Sequence, residues 1–157
     1  MYMTNKVTTQ SLVLDSSILV EYSKGRKTEL LEYLLEKRPT ELFINSTVLS
    51  EYMFHWLGNN GGKAPRTLQQ GQQIGRLLLQ DDQHDFLSLF SILPSDNAII
   101  PVYLSFMQQY NLLPNDALIL ASCKIHGIPA LASYDPDFEG ACAAENIRLV
   151  RQIEDLS

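Results

Sequence analysis

The sequence predicts an α/β fold of three layers, in which helices flank a mainly parallel central sheet. Short apolar runs alternate with longer stretches of helical apolar spacing along the chain. Such alternation is typical of βαβ crossovers, which join parallel strands through a helix. With 157 residues and 45% hydrophobic content, the chain can bury one core, so we expect a single domain over residues 1–157.

Five short apolar runs are the strand candidates. Polar, glycine or proline residues bound them and separate them from the helical stretches. In chain order the candidates are residues 12–14, 42–44, 92–93, 130–132 and 147–150. Between them, leucine, isoleucine and alanine recur at helical spacing, as in the run from Ala117 to Ile125.

The segment from residue 58 to residue 75 differs in composition from the rest of the chain. It is rich in glycine, asparagine and glutamine, and residues 58–62 offer almost nothing that could pack against a core. We therefore expect a flexible loop around 58–75, which could act as a lid over a site.

The net charge of −6 argues against a protein that binds nucleic acid through a broadly basic surface. Two divalent cations bound to a cluster of acids would offset much of that charge and allow a phosphate substrate to approach. The basic residues fall into two groups, which we interpret as solvated surface. These groups are Lys24, Arg26 and Lys27, and Lys63 with Arg66.

Three features of the chain predict a cytoplasmic protein without a membrane segment. Its apolar runs are all shorter than the roughly 18 residues of a transmembrane span. Residues 1–10 are polar and lack the apolar core of a signal peptide. Cys123 and Cys142 lie in apolar helical patterns, where reduced, buried thiols are expected.

Four acidic side chains stand where this fold places its ligands. Asp15 and Asp135 come after strands, and ligands of open α/β sheets bind beyond the carboxyl ends of the strands. Glu51 and Asp116 lie in the early turns of helices, which open toward the same edge. Each acid alone could cap a helix or interact with its dipole. Together the four predict one acidic cluster.

Such a cluster indicates a metal site. Carboxylates a few ångströms apart repel one another by roughly several kcal/mol, so protons or cations must neutralise them. Oxygen ligands without a nearby histidine or cysteine favour Mg²⁺ or Mn²⁺ over zinc. Two such ions can activate water and stabilise the leaving oxygen of a phosphodiester, so the predicted chemistry is hydrolysis of nucleic acid.

The acids lie in segments that resemble the successive motifs of PIN-domain ribonucleases, especially the VapC-type toxins. In chain order the segments are Val13–Leu19, Ser50–Glu51, Asn115–Ala121 and Leu131–Phe138. Their order and approximate spacing resemble the family over nearly the whole chain. The third and fourth segments together are the most specific part of the resemblance.

The resemblance implies a PIN-like fold, Mg²⁺ or Mn²⁺ as cofactor, and endonucleolytic cleavage of RNA. It also implies a homodimer and a small antitoxin protein as partners. Surplus apolar helical surface at residues 30–35 and 102–106 could form the dimer interface, although these residues could equally be core.

The resemblance also implies site residues by their positions in the motifs. Asp15, Glu51 and Asp116 resemble the three core metal ligands, and Asp135 resembles the fourth acid. Supporting roles fall to three serines. These are Ser133, which resembles the serine or threonine that orients the site, and Ser16 or Ser17 beside Asp15. Asp137 is interpreted as an acid at a helix start and not as a ligand.

Other functions fit parts of the same pattern. A phosphatase of the haloacid dehalogenase type also places an aspartate after its first strand, but it needs a second aspartate two residues later, where this chain has Ser17. A stand-alone PIN-domain RNA-processing nuclease would keep the chemistry without an antitoxin. A catalytically retired PIN-like interaction module is disfavoured, because it would have no reason to keep four mutually repelling acids.

Overall fold

A five-stranded parallel sheet forms the centre of the protein. In this computed structural model, which describes residues 11–37 and 41–156, the sheet has the order β3-β2-β1-β4-β5, and all neighbouring strands are parallel. The strands are β1 (Leu12–Leu14), β2 (Leu42–Ile44), β3 (Ser91–Ile92), β4 (Ala130–Ala132) and β5 (Arg148–Val150). The polar residues 1–10 lie outside the described residues.

Helices connect the strands and flank the sheet, which confirms the predicted fold class. They are α1 (Ser16–Ser23), α2 (Glu29–Lys37), α3 (Ser46–Gly61), α4 (Pro65–Gln70), α5 (Ile74–Gln80), α6 (His84–Leu87), α7 (Ile99–Tyr110), α8 (Pro114–Ile125) and α9 (Glu139–Ala144), with 3₁₀ helices at Pro136–Phe138 and Ile153–Leu156. Within the described ranges, none of these helices has the length and apolar character needed to cross a membrane.

The order of the strands decides which part of the sheet can hold a ligand. Every residue of β1 and β4 is buried, so the accessible parts of these strands are their ends. The chain runs outward from β1 through β2 to β3 and later continues on the other side through β4 to β5. The order thus reverses between β1 and β4, and ligands of such sheets bind at this reversal, beyond the carboxyl ends.

The prediction of a loop around 58–75 was wrong, because this range is largely helical. α3 continues to Gly61, and α4 and α5 follow after short turns. Gly61 lets α3 and α4 pack closely, since a Cβ atom there would lie 2.5 Å from Cδ1 of Leu68. Leu68 and Leu77 are buried in the core. Leu68 anchors α4, whereas Leu77 and the half-buried Ile74 anchor α5. The composition of the segment does not reveal so few apolar contacts.

Asn45, at the carboxyl end of β2, links α3 to α8. Its Oδ1 accepts a hydrogen bond from the backbone N–H of Val48 at 2.9 Å, which caps α3. Its Nδ2 donates to Oγ of Ser122 at 3.0 Å. Asn45 is only 3% exposed. Because α3 carries Glu51 and α8 carries Asp116, this buried amide helps to set the distance between two of the predicted site acids.

We expect Asn45→Ala to lower the free energy of unfolding by about 1–3 kcal/mol, because it removes the helix cap and leaves buried polar groups unpaired. Asn45→Asp keeps the capping oxygen but cannot donate to Ser122, so it should also destabilise the protein. The exposed neighbour provides a control, Ser46→Ala, which should change stability by less than about 0.5 kcal/mol. Urea unfolding measures all three, and equal midpoints for Asn45→Ala and Ser46→Ala would contradict the assignment.

Candidate active site

Asp15 lies at the centre of the carboxyl edge of the sheet and is 4% exposed. Its backbone N–H donates to the carbonyl of Ala132 at 2.9 Å, which joins the ends of β1 and β4. Its Oδ2 accepts hydrogen bonds from Oγ of Ser17 and Oγ of Ser133, both at 2.7 Å. Two of the predicted supporting serines therefore fix the orientation of this carboxylate.

The third predicted serine contacts a different acid. Oγ of Ser16 lies 3.4 Å from Oε1 of Glu51 and donates to it, and the side chain of Asn115 is also hydrogen bonded to Glu51. Partial burial raises the pKa of Glu51, and the charge of Asp15 acts in the same direction, whereas the hydrogen bonds oppose it. The sequence analysis assigned no role to Asn115, although its position directly before Asp116 indicates that it lies near the site.

Asp116, in the first turn of α8, has a strongly raised pKa. Partial burial raises its pKa to about 7, and the charges of Asp15, Asp135, Glu51 and Asp137 all act in the same direction. The structure thus brings the four predicted acids into one electrostatic field. In the metal-free protein Asp116 therefore keeps its proton to a higher pH than an ordinary aspartate does.

The turn after β4 adds a fifth acid. Oγ of Ser133 accepts the backbone N–H of Asp135 at 3.0 Å, and Oδ1 of Asp135 accepts that of Asp137 at 2.9 Å. Asp137 does lie at a helix start, in the 3₁₀ helix Pro136–Phe138. Its carboxylate nevertheless also joins those of Asp116 and Asp135, with one oxygen of each within 4.8 Å of the others.

These carboxylates fit a hard divalent cation. The group formed by Asp116, Asp135 and Asp137 contains oxygen donors only, and such donors suit Mg²⁺ or Mn²⁺. Burial is the largest cause of the raised pKa of Asp116, and the four neighbouring carboxylates add to it. A bound cation would relieve this repulsion.

The comparison with protein families agrees with this site. Residues 12–143 match the model of the PIN domain. That range includes every acid of the cluster, and the chain belongs to the PIN-domain family.

Two relatives from Methanocaldococcus jannaschii are similar along most of their length. Ribonuclease VapC2 is 30% identical over 135 residues, which cover 85% of this chain and 91% of the relative. Ribonuclease VapC6 is 29% identical over 141 residues, which cover 82% of this chain and 91% of the relative.

Solved structures share the fold at lower identity. A toxin-antitoxin complex from Klebsiella pneumoniae has a chain with a TM-score of 0.60 and 23% identity, covering 89% of this chain and 96% of its own. VapBC2 from Rickettsia felis, bound to a DNA fragment from its promoter, gives a TM-score of 0.58 and 20% identity, with 90% and 98% coverage. These likenesses confirm the fold.

The raised pKa of Asp116 predicts how the stability of the metal-free protein depends on pH. A carboxyl whose folded pKa, about 7, exceeds its unfolded value of 3.8 stabilises the fold at low pH, and this contribution is lost as the pH rises through the folded value. In EDTA, the free energy of unfolding should therefore fall by about 1 kcal/mol or less between about pH 6 and pH 8, allowing for the partial exposure of Asp116.

Asp116→Asn should remove most of this dependence and should be more stable than the wild type at the alkaline end. The exposed Glu36 on α2 offers a control, Glu36→Gln, which should keep the wild-type dependence. Urea unfolding at several pH values measures the three proteins. Equal pH dependence in all of them would show that the pKa of Asp116 is not raised in the folded protein.

Proposed function

We propose that the protein is an endoribonuclease that hydrolyses RNA phosphodiester bonds with Mg²⁺ or Mn²⁺, and that it is the toxin of a toxin-antitoxin pair in the cytoplasm. The convergence of Asp15, Glu51, Asp116 and Asp135 at the carboxyl edge of a PIN-domain sheet carries this proposal. Two similar proteins named ribonucleases and structural neighbours that are toxin-antitoxin complexes support it.

Asp15, Glu51, Asp116 and Asp135 would hold the cations, with Asp137 beside Asp116 and Asp135. When bound, divalent cations supply an activated water and stabilise the charge that develops on the leaving oxygen of the phosphodiester. The carboxylates themselves keep the site acidic and repel the substrate phosphate until their charge is neutralised.

Three hydroxyls and one amide hold these acids in place. Ser17 and Ser133 orient Asp15, while Ser16 and Asn115 hydrogen bond to Glu51. Such bonds fix rotamers before substrate binds, and preorganised ligands are what metal-assisted catalysis requires. An interaction module that had lost catalysis would not need both the repelling acids and their supports.

Purified protein should cleave RNA with Mg²⁺ or Mn²⁺ and lose this activity in EDTA, because the cations are assigned both water activation and leaving-group stabilisation. Asp116→Asn should lower kcat by at least about 100-fold, comparable to removal of an essential electrostatic group, whereas Glu36→Gln should retain activity. Products should end in a 5′-phosphate and a free 3′-hydroxyl. Undiminished cleavage in chelator, or 2′,3′-cyclic phosphate ends, would contradict the mechanism.

The toxin role is separable from the chemistry. A stand-alone RNA-processing nuclease of the same family would cleave RNA without arresting growth. Induced expression in a bacterial host should therefore arrest growth for the wild type and not for Asp116→Asn. Normal growth with active nuclease would favour the RNA-processing alternative.

A homodimer would have less exposed apolar helical surface for its interface than the sequence analysis expected. Leu30, Leu31 and Leu34 are buried in the core, so the first predicted patch is unavailable. On α7, however, Ile100 is 50% and Leu104 is 55% exposed. We expect light scattering to give a dimer mass that Leu104→Glu reduces to that of a monomer, because a charge opposes burial in an apolar interface. A monomer mass for the wild type at micromolar concentration would contradict the dimer.

A further inference from the structure

A pocket of about 500 Å³ lies between the start of α2, the turn after β4 and the segment after β5, and its volume is within the roughly 300–1,000 Å³ typical of ligand sites. Tyr134 forms part of its wall and stands in the chain between Ser133 and Asp135. Consecutive Cα atoms are about 3.8 Å apart. The turn after β4 therefore contributes both to the pocket, through Tyr134, and to the site, through Ser133 and Asp135.

The opposite wall comes from the end of β5. Arg151 follows Val150, whose carbonyl accepts the backbone N–H of Ser133 at 3.1 Å, and Arg151 lines the pocket. Its Nη1 lies 2.7 Å from Oε1 of Glu139. A guanidinium has five N–H donors, so this ion pair leaves others for a ligand.

Lys27 is held in the pocket by Tyr134. The Tyr134 hydroxyl donates to the carbonyl of Lys27 at 2.9 Å, and Nζ of Lys27 lies 4.6 Å from the centre of the Tyr134 ring. The backbone φ of Lys27 is +45°, a conformation that is unfavourable for a non-glycine residue and persists only where the surroundings impose it. The ring and the hydroxyl thus position this ammonium group.

Lys27 is exposed, as the sequence analysis expected, but it also contacts an aromatic ring. Among the residues that the structure describes, Lys27 forms no ion pair, and its ammonium lies over the aromatic ring instead. Glu29 and Glu154 also line the pocket, so its formal charge is balanced, whereas the neighbouring cluster holds five acids. A phosphate group of the ligand should therefore bind more favourably near Lys27 than beside the five acids.

The rest of the lining suits a nucleobase. Ile153 and the ring of Tyr134 are half-buried and supply apolar surface, and Gln152 supplies amide donors and acceptors. Apolar walls with a few polar groups and two cations match the parts of one nucleotide, a flat base and an anionic phosphate.

We propose that this pocket binds one nucleotide of the RNA substrate, next to the bond that is cleaved. Lys27 and Arg151 bind its phosphate, Tyr134 positions Lys27, and the base lies against Ile153. This inference rests on the proposed nuclease function, because it takes the scissile phosphate to lie at the acidic cluster.

The test measures binding of a short, labelled, single-stranded RNA by fluorescence anisotropy over a salt series. An Asp116→Asn background prevents cleavage, and the additional change is Lys27→Met. Removal of one phosphate contact should lower the salt slope of binding by about 0.7, which corresponds to about 5-fold weaker binding near 0.1 M salt. Lys27→Gly should give the same loss, and it guards against misfolding because glycine accepts a positive φ.

The chain offers a matched control on α2. Nζ of Lys37 lies 5.6 Å from the centre of the Tyr33 ring, at the end of a helix that runs back toward the start of β2. Lys37→Met removes the same charge from a similar lysine-tyrosine pair and should change binding by less than about 2-fold, as expected when no phosphate contact is lost. Equal salt slopes for Lys27→Met and Lys37→Met would overturn the proposal.

Kinetics separate this inference from the proposed function. In the active protein, Lys27→Met should raise KM about 5-fold and leave kcat nearly unchanged, because the pocket binds a flanking nucleotide and not the reacting atoms. A large loss of kcat at constant KM would also overturn it. If the wild type cleaves no RNA with either metal, the proposed nuclease function is wrong. If the wild type cleaves RNA and Lys27→Met has the same KM, only the nucleotide pocket is wrong.

Discussion

Repulsion among carboxylates is the constraint on which the rest of the structure depends. Asp15, Glu51, Asp116, Asp135 and Asp137 share one edge of the sheet, and their field helps to raise the pKa of Asp116 to about 7. A fold that merely buried its apolar residues would have no reason to concentrate this charge. The serines around Asp15 and the Asn45 amide between α3 and α8 keep the acids together against that repulsion. Functional sites often accept such a local loss of stability.

The strands and site acids that the sequence predicted correctly are those marked by a pattern of neighbouring residues. An apolar run followed directly by Asp15 defines both a strand and the acid at its end, and the same holds for the turn that follows β4. The alternation of strands and helices was enough to give a parallel sheet, because short βαβ connections leave few other arrangements. Glu51 and Asp116 followed from helix starts, since in this topology those starts lie at the same edge as the strand ends.

The remaining parts depend on contacts that are distant in sequence. Ser16 and Ser17 are neighbours, yet they contact Glu51 and Asp15 respectively, because successive residues of a helix point in directions about 100° apart. Asp137 joins the cluster through the turn that Asp135 caps, and Gly61 permits a helix contact where composition indicated a loop. The contact between Lys27 and the ring of Tyr134 could not be predicted, because Tyr134 lies 107 positions further along the chain.

The alignment of β1 with β4, in which Leu14 stands opposite Ala132, also bears on how the chain avoids misfolding. A slip of one residue would place Asp15 opposite Ala132, inside the layer of apolar side chains, and would turn the whole face of the strand over. An isolated carboxylate buried there would cost several kcal/mol or would have to take up a proton. The acid at the centre of the site therefore also penalises misaligned pairing of the two central strands, so selection for chemistry and selection for a unique strand alignment act on the same residue.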